Sequence, residues 1–185
     1  MAIVHEQQIS EQGPWRPRPT LLGTLLVHRY RLTQVIGQGA TGAVFRADDV
    51  IAGRPVAGGI LHPSLARDQA LISRIRSRIQ RHAAIQQQHP EALINLVDII
   101  DIGATLEGEV FVVTDHIDGD HLAWMLARGG RLPWVRAKPL FIRLCQIVHG
   151  LHQHGVVLGA LQSRRCYAVR NRPKSEAIKI AATTL

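Results

Sequence analysis

Apolar and polar residues alternate along the first part of the chain and recur at helical spacing only later. Tyr30-Arg-Leu-Thr-Gln-Val-Ile alternates as a strand does, and Gly37-Gln-Gly-Ala-Thr-Gly42 follows as a turn. Residues 43–48 form a second strand, Gly53-Arg-Pro a second turn, and residues 56–61 a third strand. From Asp68 to about Gln86, Leu71, Ile72, Ile75, Ile79 and Ile85 sit at the spacing of one helix face. Residues 96–102 and 110–115 read as further strands. A short helix runs from about His121 to Ala127, and a long one ends near His154, with Pro139 marking its effective start or a kink. The last pair, 167–170 and 177–181, reads as a hairpin. Ahead of all this, Pro14, Pro17 and Pro19 surround Trp15, so residues 1–27 are expected to be an extended arm. Strands first and helices afterwards define an α+β chain rather than alternating βαβ units.

The length, 185 residues, suffices for one domain or two small lobes. Hydrophobic residues at 46% against 19% charged exclude a disordered chain. Cys145 and Cys166 show no Cys-x-x-Cys spacing, which argues against a disulfide framework or zinc ribbon and fits a reducing compartment. Apolar runs such as 21–27 are too short to cross a bilayer, and no secretory signal pattern opens the chain. A cytoplasmic protein without a membrane span is expected. The net charge of +8 and a pI near 10.7 favour anionic partners. Arg16 and Arg18, then Arg74, Arg76, Arg78 and Arg81, then Arg164, Arg165, Arg170, Arg172 and Lys174 carry the excess. No aromatic residues interleave the middle cluster. Solvated basic surfaces that meet an acidic protein, or a nucleic-acid surface, both follow from this pattern.

The Gly37-x-Gly39-x-x-Gly42 motif alone does not settle a function. Dinucleotide folds place such a motif between a strand and a helix. Here it lies between two strands and is followed by Val44, the setting of a loop that covers nucleotide phosphates. Glycine there would allow close backbone approach to phosphate oxygens. From about Gly23 to Leu185 the sequence resembles bacterial eukaryotic-like (Hanks-type) Ser/Thr protein kinases. Gly23-Thr and Arg29-Tyr-Arg-Leu resemble their lead-in, and His89-Pro90 the pair after the C-helix. Asp115-His-Ile-Asp-Gly-Asp-His-Leu122 resembles the hinge and next helix. Leu151-His-Gln-His-Gly-Val-Val157 resembles the run into the catalytic loop. The resemblance implies a kinase-like fold: a β-rich N-lobe with one C-helix over 28–117 and a mostly helical C-lobe over 118–185.

The resemblance also implies which positions carry chemistry, and there the sequence departs. The phosphate-binding lysine corresponds to Gly59 and its C-helix glutamate to Gln80. The catalytic-loop aspartate corresponds to Ala160, the loop lysine to Gln162, the metal-binding asparagine to Arg165, and the Asp-Phe-Gly aspartate to Ala182. Phosphoryl transfer rests on positioning and electrostatics, so these changes imply a pseudokinase and not an enzyme. Gly37, Gly39, Gly42, Val44, Ala57, Asp115 and Ile117 would be vestigial nucleotide contacts. No cofactor is expected beyond, at most, weak and metal-independent ATP binding. No metal site is assigned. His149, His152 and His154 resemble a ligand cluster, but helix-end histidines are common in the family at that place. Ser163 near His154 lacks an orienting carboxylate, and Trp124 and Trp134 are taken as packing or partner contacts.

The chain stops at Leu185, before the family's activation segment and later helices. Leu140, Phe141, Leu144, Ile147, Val148 and Leu151 form a wide apolar arc on the long helix, one flank of which those later helices would cover. Trp15, Phe141, Leu144 and Val148 are therefore expected to mark a partner surface, covered by the 1–27 arm, a second copy or another protein. The expected function is a scaffold, adaptor or regulatory subunit. A basic nucleic-acid binder and a nucleotide-binding enzyme of repurposed chemistry are the alternatives.

Overall fold

The computed structural model describes residues 21–39, 41–97, 99–158, 161–170 and 178–181. In chain order they form β1 (Leu25–Leu26), β2 (Tyr30–Gly39), β3 (Gly42–Asp49), β4 (Arg54–Leu61), α1 (Pro63–Ala66), α2 (Gln69–Gln88), β5 (Leu96–Val97), β6 (Ile99–Ala104) and β7 (Val110–Asp115). Then follow β8 (Gly119–His121), α3 (Leu122–Gly129), α4 (Trp134–Gln153), a 3-10 turn at Ser163–Arg165, β9 (Cys166–Val169) and β10 (Ile178–Ala181). The architecture is α+β, as expected. Contacts divide the described residues into two units: 21–79 with 99–116, and 80–97 with those between 117 and 181.

The first unit is a six-stranded sheet in the order β1-β2-β3-β4-β7-β6. Tyr30, Leu32, Phe45, Ile60 and Phe111 form a buried cluster. A second cluster sets Leu61, Val112 and Ile99 against Ile72 and Ile75 of α2, three residues apart on one helix face. Full burial of each such isoleucine stabilises by roughly 1.5–3 kcal/mol. Asp68 caps α2, its carboxylate accepting from the Leu71 N–H at 2.9 Å.

The second unit holds a four-stranded sheet in the order β5-β10-β9-β8, with β5 and β10 parallel and the other pairs antiparallel. Leu144, Ile147 and Leu151 of α4 pack with Leu93, Leu96, Leu122, Ile178 and Ile180. His121 caps α3, its Nδ1 accepting from the Trp124 N–H at 3.0 Å.

Several expectations are corrected. The 37–42 segment is not all turn: β2 continues to Gly39 and β3 begins at Gly42, because the ladder pairs Gly37 with Val44 and Gly39 with Gly42. The 96–102 stretch is two strands in different sheets, since Leu96 and Val97 pair with β10 while β6 pairs with β7. The 80–98 stretch, expected within 28–117, groups through its described residues with the second unit, where Leu93 and Leu96 are core. Pro139 does not start the long helix, which begins at Trp134. Of the 1–27 arm, Leu21 and Leu26 are buried in the first unit's core and β1 pairs with β2, so they are not free to cover α4.

Candidate functional site

The glycine-rich hairpin is built by β2 and β3. Cross-strand register places Gly37, Val44, Gly59 and Val112 in one row across four strands, with Arg46, Ala57 and Thr114 in the next. Partners in a row share a face of the sheet, so the structure gathers Gly37, Val44, Ala57 and Gly59 on one surface. The three glycines differ. Gly42 has φ +144°, and a β-carbon there would collide with the Ile60 carbonyl oxygen. Its glycine is demanded by the sheet itself. A β-carbon at Gly39 would meet nothing, and one at Gly37 only Val44 Cβ at 3.9 Å. Their bare backbone answers no packing need.

Asp115 ends β7 and accepts from Arg54 at 2.8 Å in a partly exposed ion pair. Ile117 falls in the other unit. The far end of the hairpin is closed by a pair that sequence reasoning missed. Arg29 Nε and Nη2 donate to the two Asp49 oxygens at 3.0 and 2.8 Å, and the Ile51 and Ala52 N–H groups donate to Oδ1 at 3.1 Å. Hydrogen bonding from Arg29 holds the Asp49 carboxyl down to about 2. Beside it, burial, with the bond to Asp101, pushes the Tyr30 hydroxyl up to about 12. The ladder sets Tyr30 opposite Asp49 only after two register shifts, and a plain count back from the hairpin tip would set Leu32 there, so the sequence carried no direct signal for this pair.

In the second unit, Gln162 precedes the 3-10 turn, its side-chain oxygen accepting from Arg164 Nε at 2.6 Å, and Arg165 lies within the turn. Gln80 is exposed on α2. Ala160, Ala182 and Trp15 lie outside the described residues. Gln80, Gln162 and Arg165 carry no carboxylate for a hard divalent cation, which takes oxygen ligands. Among the basic residues, Arg170 is engaged by both Asp120 oxygens at 3.0 and 2.9 Å and by Asp118 at 3.6 Å, which raises its pKa.

The partner surface expected on α4 is partly corrected. Leu144 is 8% exposed and belongs to the core, and Val148 packs against it, while Phe141 stands 67% exposed. Trp134, Val135 and Ile142 are exposed as well, and Cys145 is an exposed free thiol. Trp124, partly exposed, lies under the Arg128 guanidinium at 4.5 Å. Outside the hairpin, a 550 Å³ groove in the first unit is lined by Leu21, Leu25, Val27, His28, Leu106 and Glu107 among others.

A six-stranded sheet with a packed helix in one unit, and helices with a small sheet in the other, is the architecture of a protein-kinase domain fragment. The kinase domain of PknI from Mycobacterium tuberculosis shares it at a TM-score of 0.66 and 18% identity, over 86% of this chain and 61% of that one. By sequence the chain is a homologue of bacterial Hanks-type Ser/Thr protein kinases. It is 35% identical over 105 residues to serine/threonine-protein kinases PknA of Corynebacterium glutamicum, covering 56% of this chain and 22% of that protein. It is 30% identical over 135 residues to serine/threonine-protein kinase PknB of Mycobacterium leprae, covering 71% and 21%. It is 29% identical over 138 residues to serine/threonine-protein kinase PrkC of Bacillus subtilis, covering 74% and 20%. The chain thus spans about a fifth of the length of these relatives. No family model matches it.

These relatives correct one expectation. By the resemblance alone, Gly59, Gln80, Ala160, Gln162, Arg165 and Ala182 imply a chain that is not an enzyme. The proteins matched are named as Ser/Thr protein kinases, so the homology points to an enzyme family and the non-enzyme reading does not stand. Two of the six positions, 160 and 182, also lie outside the described residues.

Proposed function

We propose that the chain works as a kinase-like interaction module, a scaffold, adaptor or regulatory subunit in the cytoplasm, that binds an acidic protein partner through α4. The carrying observation is an exposed apolar stripe on that helix. Trp134, Phe141 and Ile142 are 73%, 67% and 46% exposed, whereas Leu144, Ile147 and Leu151 of the same helix are buried. Helical spacing puts Lys138 and Cys145 in the same stripe. Soluble surfaces seldom leave such patches uncovered, and the basic charge of the chain favours an acidic rim on the partner. Light scattering and hydrophobic-dye binding test it on the full chain. The original protein should bind dye or self-associate as concentration rises, and a Trp134→Glu/Phe141→Glu variant should do neither. Equal behaviour of the two contradicts the proposal.

The kinase relatives and the unobstructed backbone of Gly37 and Gly39 favour a second reading, a nucleotide-using kinase module. Gly59 brings no ammonium group to a phosphate, so ATP contributes little stability in the interaction-module reading. Melting with millimolar ATP, with and without Mg²⁺, separates the two. A metal-dependent rise above about 3 °C corresponds to roughly 1 kcal/mol of ligand stabilisation and selects the second. So does transfer of labelled phosphate to a protein acceptor that a Gly37→Asp/Gly39→Asp variant loses.

A further inference from the structure

We infer that His89, Glu91 and His154 form a binding site for a divalent transition metal of the zinc class. The inference is independent of the function proposed above. Candidate ligand atoms of the three residues all lie within 4.8 Å of one another. The two imidazole rings are 4.7 Å apart between centroids, and His89 Nδ1 is 3.8 Å from a Glu91 oxygen. The His154 Nδ1 lies 2.9 Å from the Gly150 carbonyl oxygen, and donation there leaves Nε2 with its lone pair for a metal. Such a backbone tie to the far ring nitrogen is the usual support of a metal-bound histidine.

The surroundings favour a cation. His154 is the C-cap of α4, and His89 directly follows Gln88, the last residue of α2. Each helix C-terminus carries about half a negative charge, and Glu91 adds a whole one. Two imidazoles and one carboxylate suit Zn²⁺, Co²⁺ or Ni²⁺ rather than the oxygen-seeking Mg²⁺ and Ca²⁺. Three protein ligands leave a fourth position open to water or to a donor from elsewhere. Zinc bonds of about 2 Å place tetrahedral ligands roughly 3.3 Å apart. Modest χ rotations of three side chains that are not buried close that gap. The sequence draws attention to His149, His152 and His154 on one helix. The fold instead joins the last of these to a loop 63 residues earlier in the chain.

The test is titration of the untagged full chain with Zn²⁺ by calorimetry, and with Co²⁺ by visible absorption. One equivalent should bind, and Co²⁺ should give the intense bands of a tetrahedral site. His89→Ala, Glu91→Gln and His154→Ala should each weaken Zn²⁺ binding about 10-fold or more, at least the loss that follows removal of a mere supporting residue. A His149→Ala/His152→Ala variant should bind as the original does. Circular dichroism in chelator confirms that each variant is folded. The inference is overturned by no stoichiometric binding, by Co²⁺ bands that are absent in the original chain, or by binding that survives His89→Ala and fails in the His149/His152 variant.

Discussion

Asp49 is fully buried yet charged at neutral pH, because Arg29 and two backbone N–H groups surround its carboxylate. Its carboxyl titrates at about 2 in the fold against 3.8 for the free side chain. A depressed pKa of this kind contributes stability that is whole above about 4 and lost as pH falls toward 2. Urea unfolding at a series of pH values should therefore show a loss of stability across that window, and the loss should shrink in Asp49→Asn. Arg29→Ala, which leaves a buried carboxylate without its cation, should lower stability at pH 7 and shrink the acid-dependent loss. At the other end of the scale Tyr30, raised from 10.0 to about 12, contributes stability that is whole below 10 and lost as pH rises to 12. Tyr30→Phe should remove that alkaline loss. The clamp was legible only in part. Arg29, Tyr30 and Asp49 stand plainly in the sequence, but the Arg29–Asp49 pairing depends on a ladder that passes two bulges, between Leu32 and Gln34 and between Val35 and Gly37.

At the scale of elements, the strands and helices were legible because their apolar spacing is strong, and the helix read from Asp68 begins in the structure at Gln69. Backbone strain was not legible. The loop between β1 and β2 places Val27 at φ +42° and His28 at φ +57°, although neither residue type favours the left-handed region. Replacing them by Asn and Gly should stabilise the first unit by roughly 1–2 kcal/mol in urea unfolding, since such conformations cost that much per residue. The glycines of the hairpin show the same blindness in reverse. Gly42→Ala should destabilise by about 2–3 kcal/mol through its φ and its collision with the Ile60 carbonyl. Gly39→Ala should stay within about 0.5 kcal/mol. If both cost the same, the division between a structural glycine and an open one fails. Pro139 misled for a related reason. Its missing N–H falls in the second turn of α4, beside Val135, which is 84% exposed, so water can serve the carbonyl left without a partner.

For the whole molecule, the sequence order of lobes is simpler than the spatial one. Asn95 shows why the 80–97 stretch joins the second unit. It is buried, its side-chain N–H donates to the Ile178 carbonyl at 2.8 Å, and its own carbonyl accepts from the Ile180 N–H at 2.8 Å. Both bonds span more than 80 residues, a pairing that no local periodicity announces. Asn95→Ala leaves the Ile178 carbonyl without that donor and should lower stability by about 1–3 kcal/mol. Hydrogen exchange should show β10 and β5 losing protection together. Unchanged protection of β5 would mean that the Asn95 side chain does not hold the β5–β10 pair together. The His89, Glu91 and His154 cluster escaped the sequence for the same reason: the three residues are adjacent only once α2 and α4 have folded.

The two cysteines give the protein a built-in reporter. Cys145 is exposed within the apolar stripe of α4, whereas Cys166 is buried and burial pushes its thiol pKa up. Reactivity follows the accessible thiolate, so a thiol reagent should label one position quickly in the native chain and both only after denaturation. A fluorophore placed at Cys145 would then sit where a partner is expected to land, and its quenching or shielding would time the encounter without any change to the sequence.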